Sequence, residues 1–112
     1  IDLLAKELEQ VCEEWEIGYK QSMFINLITE ELILNIIKFG LDSNEKQCYV
    51  SVKLMDNNDE YILRIRDNVR TYNPFDLRGD EVDRAAMRLI TKKAKYYNYQ
   101  RKLVFNYLYI II

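Results

Sequence analysis

The sequence predicts an α+β domain: a two-layer α/β sandwich with a mostly antiparallel sheet and helices packed on one face. Three observations lead there. Two stretches with helical spacing open the chain, over 2–15 and 20–39. Two pairs of strand-like stretches follow, over 50–66 and 96–112. One further helical stretch, 83–95, stands between the pairs.

Each element rests on its own pattern. In the first stretch Leu3, Leu4, Leu8, Val11, Cys12 and Trp15 recur at helical spacing, with Glu and Lys between them and Gly18 as the expected stop. The second is apolar on most sides, from Met23 and Phe24 to Ile36 and Ile37, which predicts packing against more than one layer. Gly40 is its expected C-terminal end, before a polar loop over 41–47. Val50, Val52 and Leu54 alternate with Ser51, Lys53 and Met55; after an Asn- and Asp-rich turn, Tyr61, Leu63 and Ile65 alternate with Ile62, Arg64 and Arg66. Residues 67–82 read as loop around the lone Pro74. In 83–95, Ala85, Ala86, Leu89, Ile90 and Ala94 line one side and bases the other. The run from Leu103 to Ile112 is strong strand material.

A chain of 112 residues fits one domain, and 49% hydrophobic residues suffice for one core. No apolar run reaches the ~18 residues that a membrane span needs. The acidic, amphipathic start does not resemble a signal peptide. The start at Ile1 rather than Met predicts a fragment of a longer chain. Cys12 and Cys48 lack metal-ligand spacing and read as reduced thiols of a cytoplasmic protein. The absence of His removes His-based catalysis and most zinc sites. Charge is uneven: residues 1–31 hold eight acids against two bases, and seven bases with no acid follow Asp83. These are either solvated faces that attract each other or a surface for phosphate or an acidic partner. No strand carries an aromatic-plus-basic motif, so nucleic acid is not expected as a partner.

Three polar residues interrupt the second helical stretch. Glu31, Asn35 and Lys38 are spaced i, i+4, i+7 and share one stripe. Burying them unpaired would cost a few kcal/mol each, so they need a polar partner unless they face solvent. Asn35 offers an oxygen to a hard cation such as Mg²⁺. Glu31 is suited to act as a base, and Lys38 to meet a phosphate oxygen. The alternative is that Glu31 and Lys38 simply face water and Asn35 belongs to the end of the helix.

The segment EELILNIIKFG, Glu30 to Gly40, resembles the N-box of histidine-kinase-like ATPases, which have the Bergerat fold. Asn35 with Lys38 and Phe39 matches the Asn, Lys and aromatic spacing of that box, and Glu31 matches the Glu that anti-sigma-factor serine kinases place four residues before the Asn. Asp67, ending the strand YILRIRD, stands where the family has Asp-x-Gly; Asn73 to Asp76 (NPFD) is similar to a segment of anti-sigma-like domains. The resemblance follows nearly the whole chain in order. It implies an ATP pocket between the helices and a lid. There Asn35 would hold Mg²⁺, Asp67 would accept the adenine amino group, Glu31 would be the general base and Lys38 would support phosphate. Read without the family, Asp67 begins an Asx-type turn.

The chain departs from the family at both glycine boxes. Asp67-Asn68-Val69-Arg70-Thr71 has Val69 and Thr71 where glycines are expected, and Arg84-Ala85-Ala86-Met87 lacks both glycines of the second box. Those glycines bring backbone N–H groups close to phosphate. Either Arg84 and Arg88 supply guanidinium contacts instead, or nucleotide binding has been lost. The expected function is thus a regulatory ATP-binding domain resembling anti-sigma-factor serine kinases, with Mg·ATP-dependent partner binding and transfer to a protein Ser or Thr. The alternative is a nucleotide-free module that holds a protein partner or homodimerises, using the tyrosine-rich closing hairpin or the acidic first helix. No membrane contact is expected of the domain itself.

Overall fold

A computed structural model describes residues 2–42, 49–58, 60–69 and 85–112. Among these, three helices and four strands follow in the predicted order: α1 (Asp2–Glu14), α2 (Tyr19–Asp42), β1 (Val50–Asn57), β2 (Glu60–Asp67), α3 (Ala85–Lys93), β3 (Tyr96–Lys102) and β4 (Phe105–Ile111). The sheet is antiparallel throughout, in the order β1-β2-β4-β3. The chain is an α+β two-layer sandwich, as its pattern predicts.

Strand alternation decides what the core contains. Leu63 and Ile65 of β2 and Leu108 and Ile110 of β4 point the same way, toward the helices, and all four are buried. Val52 and Leu54 on β1 and Tyr99 on β3 extend that face to both edges. Above it sit Leu8 and Cys12 of α1, Ile25, Ile28, Leu32 and Ile36 of α2, and Met87 and Ile90 of α3, in one continuous cluster. All three helices therefore lie on one face of the sheet. Each fully buried Ile or Leu contributes about 1.5–3 kcal/mol relative to its exposed state, so β2, β4 and α2 are the main source of cohesion.

The end of α1 shows why Gly18 is not its stop. The N–H of Glu16 reaches the carbonyl of Glu13 (3.1 Å), and that of Ile17 the carbonyl of Cys12 (2.9 Å). This is a Schellman closure, with Glu16 itself in the left-handed region (φ 54°) and Ile17 buried with Cys12. α2 begins at Tyr19 and passes through Gly40 to Asp42, so Gly40 is an interior residue there. A helix tolerates one interior glycine at about 1 kcal/mol.

The apolar α2 does not pack on all sides. Its core face meets the sheet, and one flank meets α1 around Asn26, Thr29 and Ile33. Met23, Leu27, Leu34 and Ile37 remain exposed on the far side, Met23 at 55%. Their spacing of four, seven and three residues keeps them in one seam.

Candidate functional site

Helical geometry ranks the polar stripe on α2. Taking Leu32 as the core direction, Asn35 lies roughly 60° round the helix, Glu31 roughly 100° and Lys38 roughly 120°. Burial follows that order: Asn35 and Glu31 are half-buried and Lys38 is exposed. All three turn to the flank opposite the one that α1 covers. Asn35 is thus the member that borders the space between the layers.

Asp67 occupies the other layer. It ends β2 on the helix-facing side, two residues beyond Ile65, and is 2% exposed. A carboxylate there survives only with partners. Its Oδ1 accepts the backbone N–H of Val69 at 3.0 Å, the i to i+2 bond of an Asx turn, and Nδ2 of Asn106 at 2.8 Å. Asn106 is the β4 residue paired with Asp67 and is 1% exposed. Its Nδ2 also lies 3.1 Å from the Val69 carbonyl, and its Oδ1 accepts the hydroxyl of Tyr99. Nη1 of Arg101 donates to the same Val69 carbonyl at 2.8 Å. Tyr99 and Arg101 of β3 and Asn106 of β4 thus hold positions 67–69, just before the stretch 70–84.

The other sequence candidates sort simply. Arg84 and Thr71 lie outside the described residues, as do Cys48 and the segment 73–76. Arg88 is an exposed residue of α3. Cys12 is a free thiol, buried in the core. Asn106, Tyr99 and Arg101 were not expected at the site. The signal for Asn106 was available: it shares strand parity with Leu108 and Ile110, so an amide was due on the core face.

The donor set fits Mg·ATP unequally at its two ends. On α2, a half-buried amide oxygen between a carboxylate and an ammonium suits a hydrated Mg²⁺ and phosphate oxygens. Among the described residues no three Asp, Glu, Cys or His side chains converge on a metal position, so such an ion would depend on Asn35, water and the nucleotide's own phosphates. At the sheet end, Asp67 is held in place by the Val69 N–H and by Nδ2 of Asn106. Val69, however, where the resemblance expects a glycine, has its side chain fully buried in the core. Room that a glycine would leave beside Asp67 is filled there with hydrocarbon.

No family model matches the chain, and no curated protein matches it. No helix among the described residues is long and apolar enough to cross a membrane.

Proposed function

We propose that the chain is a regulatory nucleotide-binding domain, taking Mg·ATP between the polar flank of α2 and Asp67 and acting on or through a protein partner, as the anti-sigma-factor serine kinases it resembles do. The observation that carries this reading is Asp67: a buried carboxylate at the end of an apolar sheet, built into place by Asn106 and the Val69 N–H. Asn35 is the ligand for Mg²⁺, Lys38 the phosphate contact and Asp67 the acceptor for an exocyclic amine. Glu31 is the base toward a partner's Ser or Thr hydroxyl, for which bound Mg·ATP supplies the phosphoryl group. A protein partner is supported by the exposed seam Met23, Leu27, Leu34 and Ile37. A domain that uses ATP and keeps Cys12 as a free thiol belongs in the cytoplasm.

Thermal melting with millimolar Mg·ATP tests the reading. A site filled to a hundred times its Kd adds about 2.7 kcal/mol, a shift of several degrees for a domain of this size. Asn35→Ala should remove the shift while leaving the melting point without nucleotide nearly unchanged, and Glu31→Gln should keep it while removing transfer. The buried Val69 favours a second reading, a nucleotide-free partner-binding module. Absence of any shift at millimolar Mg·ATP would decide for it.

A further inference from the structure

The face of the sheet turned away from the helices has a chemistry of its own. Register lays two parallel rows across its middle: Ser51, Arg66, Tyr107, Gln100, and next to it Lys53, Arg64, Tyr109, Asn98. Each row crosses the sheet through an arginine, a tyrosine and an amide. Lys102 adds a fourth cation beside Phe105. Neither row holds an acid. The acid excess of residues 1–31 lies in α1 and α2, in the other layer. A net charge of −2 therefore conceals acid-rich α1 and α2 on one side of the sheet, beside a basic α3, and a basic outer strand face on the other.

The side chains on this face are already arranged. Nη2 of Arg66 donates to the Tyr49 hydroxyl at 2.8 Å, and its Cζ lies 5.3 Å from the Tyr49 ring centre and 5.1 Å from that of Phe105. Nζ of Lys102 stands 5.8 Å from the Tyr107 ring centre. Beside them runs a groove of about 380 Å³, bordered by Arg64, Tyr96, Asn98, Gln100, Tyr107 and Tyr109, with Lys102 at its end. That volume is within the range of about 300–1,000 Å³ typical of ligand sites.

We propose that this face binds single-stranded nucleic acid, with bases stacked on Tyr107 and Tyr109 and phosphates met by Arg64, Arg66, Lys53 and Lys102. Charge complementarity gives the sign of the ligand. The tyrosines give its class, because an acidic polypeptide answers the cations but has no use for rings set between them, whereas every base has a π-face. Arg64 and Arg66, two residues apart on one strand, stand about 7 Å apart, a repeat suited to successive phosphates. Asn98 and Gln100 each carry both a donor and an acceptor for base edges. Arg66 and Lys102 are held against rings beforehand, so ordering them on binding costs little. The sequence hides the pattern because the arginines are on β2 and the tyrosines that stand beside them are on β4. This face lies on the opposite side of the sheet from Asp67, so the proposal stands or fails without the ATP reading.

The test is fluorescence anisotropy with labelled oligo(U) RNA and oligo(T) DNA of about eight residues, with labelled poly-glutamate and anionic lipid vesicles measured in parallel. Oligonucleotide binding should weaken with salt at a log–log slope of roughly −3 for four phosphate contacts. Tyr109→Leu should weaken it about fivefold or more at constant salt slope, and Arg64→Glu should abolish it, both with unchanged melting points. Lys53→Glu, at the sheet edge, should weaken binding and make the slope shallower, a control should Arg64→Glu disturb the fold. Equal affinity for poly-glutamate with Tyr109→Leu silent would assign the face to an acidic protein. Binding to vesicles without oligonucleotides would assign it to a membrane, and no binding to any would end the proposal.

Discussion

The two faces of one sheet are built from the same four strands, yet they obey different rules. Toward the helices, β2 and β4 present Leu63, Ile65, Leu108 and Ile110, and polarity enters only at one end, where Asp67 and Asn106 satisfy each other. On the reverse, Arg64, Arg66, Tyr107 and Tyr109 alternate with those same residues. The first face is decided by the area it removes from water, the second by which charges and rings stand side by side. Alternating residues of one strand thus carry stability and recognition separately.

Neighbours on β2 give the sharpest contrast. Leu63 is fully buried, and Leu63→Ala should cost about 2–5 kcal/mol in urea unfolding, from lost burial and the cavity left behind. Arg64→Ala, one residue on, should cost about 1 kcal/mol or less, the range of one cross-strand pair. If Arg64→Ala cost as much as Leu63→Ala, the reverse face would be a second core rather than an open surface.

The polar end of the inner face comes next in size. Asn106→Leu keeps the approximate volume but takes a donor from Asp67 and Val69 and the acceptor from Tyr99. We expect a loss of about 1–3 kcal/mol, the cost of leaving buried groups unpaired. Tyr99→Phe should cost less, since it removes the hydroxyl that donates to Asn106 at the edge of the network and leaves Asp67 and Val69 their donor. Equal losses would mean that packing, rather than hydrogen bonding, sets the value of this end.

Much of the inner face was legible in sequence, and little of the outer. Period-two alternation in 50–54 and 61–65 placed the core side chains of β1 and β2, because parity is a local property, whereas 103–112 was legible as a strand without showing which side chains it buries. The Glu31–Asn35–Lys38 stripe was legible for the same reason, since a helix fixes its own angles. The Asx turn at Asp67 needs only residues 67–69 and was within reach as an alternative. Asn106 as the partner of Asp67 was not, since pairing β2 with β4 joins positions far apart in the chain. The cation–tyrosine rows depend on that same pairing. The exposed seam of α2 was misjudged because apolar periodicity reports what a helix could bury and not what the domain supplies to cover it. The turn at Glu16 was not legible, since a left-handed Glu has no composition signal, whereas Gly18 has that of a helix stop.

Register keeps the two faces distinct, and the turns help to set it. The β1–β2 turn has Asn58 in the left-handed region (φ 51°), a residue that tolerates it. The β3–β4 turn has Leu103 there (φ 54°), 94% exposed. Leu103→Asn should therefore stabilise the domain by about 0.5–1 kcal/mol without altering its circular dichroism. Glu16→Gly should do the same at the end of α1. A stabilised Leu103→Asn with unchanged oligonucleotide binding would show that strand pattern, not strain at the turn, holds the faces apart.

The smallest effect is one of charge on the outer face. The Arg66 hydrogen bond, with a further one from Ser51, lowers the Tyr49 pKa below its ordinary value near 10, and the Tyr49 bond in turn raises that of Arg66. With the folded pKa of Tyr49 depressed, the unfolded chain binds more protons in the alkaline window between the two values, so this pair adds stability only as pH rises through that window. At neutral pH the phenol is protonated in both states and the contribution vanishes. The 295 nm titration of the protein minus that of Tyr49→Phe should isolate one phenol ionising early, and Arg66→Gln should move it back toward the ordinary range. A phenol that titrates unmoved in Arg66→Gln would place the cause of its lowering elsewhere on β1 and β2, and would separate Arg66 from the ring cluster on which the outer face depends.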